Sequence, residues 1–158
     1  MADALFRKIL VPVDFSSCSE EAFRVALQLG HVFGSAIILI HVIDLSAFNR
    51  LGLLAVPSDA VAQRKRLRHH ARLKMRQLLQ PLPADGLQVD RVIVEGTPFV
   101  EIGKFVRQTR VDLIVLGSYG GRSESMEKIF FGATAEKVIR TAGCAVLTVP
   151  LPAKKTVS

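Results

Sequence analysis

Five short runs rich in branched apolar residues, separated by stretches of different periodicity, constrain this chain more than anything else in it. "KILVPV", "AIILIHVID", "LQVDRVIVEG", "VDLIVLG" and "CAVLTVP" read as strands. Near-continuous apolar character fits strands covered on both faces, as in parallel sheets; "LQVDRVIVEG" alternates more and should be less buried. Strand, helix, strand, helix, repeated, implies a parallel sheet with helices on both sides. The expected architecture is a three-layer α/β/α domain with five parallel strands.

The intervening segments supply the helices. "SEEAFRVALQLGHVFG" places Ala22, Val25, Ala26 and Leu29 on one face, with Ser16, Ser17 or Ser19 as cap and Gly30 or Gly34 near its end. "LSAFNRLGLLAVPSD" is irregular, and its Gly52 and Pro57 predict a mobile loop over 45–60. A basic helix should occupy about 59–80, with Ala60, Leu67, Ala71, Met75 and Leu78 on its buried side, and stop at "PLPADG". "TPFVEIGKFVRQT" starts a helix with Thr97 as N-cap and Pro98 at its first position. There is no internal repeat; one domain over 1–152 and a frayed tail over 153–158 are expected.

Composition narrows the function classes. Of the 158 residues 49% are apolar and 22% charged, the balance of a globular chain rather than a disordered one. No apolar run reaches the roughly 18 residues of a membrane span, and "MADALFRKILVPVDF" lacks a signal-peptide pattern, so a cytoplasmic location is expected. Cys18 and Cys144 show no C-x-x-C spacing and read as free thiols; His31, His41, His69 and His70 form no metal-binding pair. The net charge of +7 is concentrated in "RKRLRHHARLKMR", which holds Arg64, Lys65, Arg66, Arg68, Arg72, Lys74 and Arg76. Such a stripe is either a solvated helix face or a site for an anionic partner, and no aromatic residue is interleaved to stack on bases.

In open parallel sheets ligands bind beyond the carboxyl ends of the strands, where the winding reverses. If the chain winds outward from its first strand and then crosses to the other side, the first and fourth strands flank that point. The first ends "PVDFS", which places Asp14 there; the fourth ends "GSYGG". Glycine lets backbone N–H groups approach an anion, and a helix N-terminus adds further donors. Asp14 suits ribose hydroxyls or a bridging cation, while Gly117, Gly120 and Gly132 suit phosphates. Neither G-x-x-x-x-G-K-[ST] nor G-x-G-x-x-G occurs in the chain.

Taken together, "KILVPVDFS", "HVID", "DLIVLGSYG", "GATAEKVIR" and "CAVLTVP" resemble the universal stress protein family, in its order and over nearly the whole chain. The resemblance implies strand order 3-2-1-4-5, an adenine nucleotide α-hydrolase-like fold, and a homodimer through Ala145, Val146, Leu147, Thr148 and Val149 of the last strand. ATP-holding members share G-x-x-G, nine residues, then G-[ST]. Gly117, Gly120 and Gly132 match its glycines, but eleven residues separate the last two, and Ala133 stands where binders have Ser or Thr. Ala133 removes a hydroxyl, read here as both a phosphate donor and half of a capping box with Glu136; Thr134 is a partial substitute.

Carried over by position, Pro12, Val13 and Asp14 would contact adenine and ribose, and Val42 adenine through its backbone. Gly117, Gly120, Gly132, Ala133 and Thr134 would line the phosphates, with Ser118, Tyr119, Gly121 and Arg122 in the same loop. Tyr119 is either a ligand contact or a loop aromatic, and Arg122 either a phosphate partner or a solvated cation. Ser123 and Ser125 are phosphoacceptors by analogy with relatives, or polar loop residues. The expected ligand is ATP, AMP or ADP, with or without Mg2+, in a stress sensor or switch. Two other readings stand beside it: a dimeric interaction module with a decayed site, and an anion or nucleic-acid binder through the basic helix 64–76. No nucleophile–base pair is assignable, so at most slow ATP hydrolysis is expected.

Overall fold

Alternate residues of each central strand feed two different apolar clusters, and that alternation sets the layering. The computed structural model describes residues 5–50, 57–80, 86–119 and 131–152. Five strands, β1 (Lys8–Pro12), β2 (Ala36–Ile43), β3 (Val89–Glu95), β4 (Leu113–Gly117) and β5 (Ala145–Val149), form one parallel sheet in the order β3-β2-β1-β4-β5. The winding direction reverses between β1 and β4, as the sequence predicts.

The helices are α1 (Ser17–Phe33), α2 (Leu45–Arg50), α3 (Pro57–Leu79), α4 (Pro98–Thr109) and α5 (Ala133–Thr141). Ile9, Val11, Ile37, Leu39, Leu113 and Val115 pack with Ala22, Phe23 and Ala26 of α1 and Met75 of α3. Leu10, Ile38, Ile40, Ile114 and Leu116 point the other way, onto Ile102 and Val106 of α4 and Ala135 and Val138 of α5. A period of two along the strands therefore meets a helix on each side. The edge strand β3 carries no fully buried residue, as its weaker pattern indicates.

Local chemistry explains the helix ends. Ser16 is the cap of α1: its side chain accepts the Ser19 amide hydrogen, and Gly34 closes the helix in the left-handed region at φ 66°. Thr97 holds the N-cap position of α4 without a side-chain bond; its carbonyl accepts from Val100 and Glu101 instead. Two expectations are corrected. The first part of 45–60 is not a loop but the helix α2, begun by Asp44, whose carboxylate accepts the Ser46 amide at 2.9 Å. The basic helix begins at Pro57, two residues before the expected start, since proline is tolerated in a first turn.

Candidate functional site

Three connections bring the carboxyl ends of β1, β2 and β4 together with the N-terminus of α5. The chain leaves β1 still in register, with the Val13 amide bonded to the Ile40 carbonyl at 2.9 Å. It then turns sharply at Phe15, a bulky residue held at φ 65°. That conformation is unfavourable for any residue but glycine, and its surroundings must hold it. Asp14 helps: one carboxylate oxygen accepts the Ser16 amide at 3.0 Å and also the Ser16 hydroxyl. The carboxylate is thereby fixed in an exposed position at the end of β1.

Behind this turn lies His41 of β2. Its Nδ1 is 2.8 Å from the Val13 carbonyl, which only accepts, so the ring hydrogen sits on Nδ1. The Phe15 ring lies against the imidazole, centroids 4.5 Å apart. Burial pushes the imidazole below its ordinary value of 6.5; the Val13 bond and the Asp14 charge oppose that shift, and His70 adds to it.

The other wall begins at Gly117. A methyl group there would lie 2.8 Å from the Cys18 carbonyl carbon and 2.9 Å from both its oxygen and its Sγ. Glycine is required by this close approach, which clamps the first turn of α1 onto the end of β4. The Cys18 thiol also donates to the Val149 carbonyl at 3.3 Å, so β5 joins the same knot. Next, Ser118 is buried and used by the backbone: its amide bonds Val149 at 3.0 Å, and its carbonyl accepts the Gly132 amide at 2.8 Å. That last bond delivers the start of α5 to the crevice.

Gly132 is the N-cap of α5, with extended backbone and no side-chain cap; its carbonyl accepts the Glu136 amide at 3.0 Å. The amides of Ala133, Thr134 and Ala135 therefore precede the first intrahelical bond and face outward along the helix axis. A capping box between positions 133 and 136 is not the arrangement found. With Gly132 as cap, Glu136 lies one residue too far along, and it pairs instead with Arg140 at 2.9 Å. What Ala133 withholds is a hydroxyl at the helix mouth, not a cap.

Pro12 and Val42 are half-buried near the ends of β1 and β2, Tyr119 is half-buried just past β4, and Ala133 and Thr134 are exposed. Gly120, Gly121, Arg122, Ser123 and Ser125 lie outside the described residues. Chemically, the crevice offers a fixed carboxylate on one side and helix amides with a positive dipole end on the other. Among the described residues no cluster of three or more His, Cys, Asp or Glu could hold a metal ion.

The sequence profile described as the Universal stress protein family matches residues 5–150. The chain belongs to this family. A universal stress protein of Methanocaldococcus jannaschii is 32% identical over 151 residues, covering 96% of this chain and 86% of that one. The solved structure of MJ0577 from the same organism is similar with a TM-score of 0.81 at 29% identity, covering 94% and 99% of the two chains. A universal stress protein of Archaeoglobus fulgidus, solved in complex with dAMP, shares the fold with a TM-score of 0.56 at 19% identity, covering 92% and 98%. In this universal stress protein, no described helix is long and apolar enough to cross a membrane.

Sequence reading missed three residues of the crevice: Phe15, Cys18 and His41. Strand alternation was the available signal for His41, because it sets that residue on the opposite face from Val42. Nothing local marks Cys18, whose importance rests on a contact with a glycine far along the chain.

Proposed function

We propose that this universal stress protein binds an adenine nucleotide, ATP or its di- or monophosphate, in the crevice between β1 and β4, as a stress-response sensor or signalling switch. The observation that carries the proposal is the start of α5, which lacks a side-chain cap yet is tethered to β4 by the Ser118–Gly132 bond. Such a terminus attracts anions through its open amides and dipole. The dAMP complex of the Archaeoglobus fulgidus relative supports the ligand class.

In this reading Asp14, held by Ser16, accepts from the ribose hydroxyls. Pro12, Val13 and Val42 flank the adenine, and His41 steadies the Val13 carbonyl, which keeps a second lone pair for the base. Gly117, Gly132, Ala133 and Thr134 receive the phosphates, and Gly120, Gly121 and Arg122, which lie outside the described residues, belong to the same proposal. Asp14 is a single carboxylate, so Mg2+ would enter with the phosphates rather than in a protein cage. We also propose a homodimer through the outer edge of β5, which pairs only with β4 in the sheet and leaves Leu147 38% exposed.

Thermal unfolding with and without ATP and magnesium tests the nucleotide reading. At one hundred times Kd a ligand specific for the folded state adds about 2.7 kcal/mol. For a domain of this size that raises Tm by roughly 5–10 °C. An unchanged Tm at millimolar ATP would remove the proposal.

A further inference from the structure

Helix α3 and the edge strand β3 run antiparallel, and their spacings match. Four residues along a helix rise roughly 6 Å, and two residues along a strand cover about the same distance. Arg68, Arg72 and Arg76 therefore follow one another along α3 in step with Glu95, Ile93 and Arg91 on the facing side of β3. One rung is fixed directly: Arg68 bonds Glu95 at 2.7 Å. The other residues line a cavity of about 400 Å³ between the two elements, with Met75 and Ile93 as its apolar floor.

Glu95 is taken up by Arg68, which leaves Arg72, Arg76 and Arg91 around the cavity without a carboxylate partner among the described residues. Asp90, the acidic neighbour of Arg91, lies on the opposite face of β3 and accepts from Gln88 at 3.0 Å. Arg72, Arg76 and Arg91 are exposed, and these three guanidinium groups from two elements line one concavity. A planar fork of donors on each suits phosphate oxygens in particular.

We propose that this groove is an anion site for a small, multiply phosphorylated molecule, separate from the crevice at β1 and β4. The cavity has the volume of a small-molecule site, and none of its lining residues is aromatic. Nucleic-acid single strands are held largely by stacking on aromatic rings, so phosphate groups rather than bases are what the groove recognises. Its position beside β3, two strands from β1, allows both sites to be filled together.

Inorganic tripolyphosphate is the probe, titrated calorimetrically into the full chain. The wild type should bind one equivalent at the groove. The variant Arg72→Gln/Arg76→Gln/Arg91→Gln should lose at least tenfold in affinity for tripolyphosphate, with an unchanged or higher Tm in low salt because like charges are removed. Gly132→Asp, which places a carboxylate at the mouth of α5 and so removes any phosphate binding at the crevice, should keep the groove equivalent of tripolyphosphate with its affinity within twofold. No binding by the wild type, or full binding by the triple variant, overturns the proposal. Loss of binding in Gly132→Asp alone assigns the probe to the crevice and overturns it too. A single-stranded RNA oligonucleotide that competes more than tenfold better at equal phosphate concentration would replace the small anion by nucleic acid.

Discussion

Replacing Gly117 with alanine should loosen the whole carboxyl edge of the sheet, because the clamp between α1 and β4 has no room for a methyl group. The added carbon would sit 2.8 Å from the Cys18 carbonyl carbon and 2.9 Å from its oxygen. These are main-chain atoms in the first turn of a packed helix, so they move only if the helix moves. Overpacking of a core contact costs typically 1–3 kcal/mol, and a backbone collision belongs at the upper end, about 3 kcal/mol. In a chain of 158 residues that corresponds to a fall in Tm of roughly 6–12 °C. Trimming the thiol in Gly117→Ala/Cys18→Ala relieves only the 2.9 Å contact with Sγ and should recover little. Gly143→Ala is the control, since nothing lies within 4 Å of its added carbon, and it should be neutral. The assay is urea unfolding followed by circular dichroism, with slopes compared so that stability alone is read. A Gly117→Ala chain within 1 kcal/mol of wild type would refute the clamp.

Further outcomes are expected elsewhere. His41 has a lowered folded-state pKa, so the unfolded chain takes up its proton first as pH falls below 6.5. The neutral ring's stability is complete above that value and is lost towards the folded pKa, by at most about 1.4 kcal/mol per pH unit for one group. Stability curves of His41→Gln should lack that slope below pH 6.5, and an unchanged slope would point to other groups. Arg110 closes α4 at φ 54°, a conformation glycine adopts without strain, so Arg110→Gly should gain about 0.5–1 kcal/mol in thermal unfolding. Ala133→Ser restores a donor at the mouth of α5 and should tighten ATP by up to about tenfold by calorimetry, one hydrogen bond's worth. Gly132→Asp should abolish ATP binding while leaving Tm unchanged or raised, because an anion there caps the helix as it repels phosphate.

The sheet and its switch point were legible because strand burial repeats every second residue and each strand is bounded by turn chemistry. The short α2 was not, since its six residues are too few to show a helical period and the nearby Gly52 and Pro57 suggest a loop. That Asp14 follows β1, Gly117 ends β4 and Gly132 precedes α5 was legible, but not how they are held. The Asp14–Ser16 contact is local and was within reach of the sequence. The Cys18–Gly117 approach, the His41–Val13 bond and the facing of Arg91 with the α3 arginines join residues far apart in the chain, and no spacing encodes them. The capping-box reading failed by one residue, because helix starts are fixed by backbone geometry that a Gly–Ala–Thr run leaves open.

The central claim is that an adenine nucleotide lies between Asp14 and the start of α5. Amide chemical shifts of the isotope-labelled chain, followed while ATP and magnesium are added, test it residue by residue. Saturable shifts at Val13, Asp14, Ser16, Val42, Gly117, Ala133 and Thr134 are the predicted result. Amides there that stay still at millimolar ATP, with any shifts confined to α3 and β3, would contradict it.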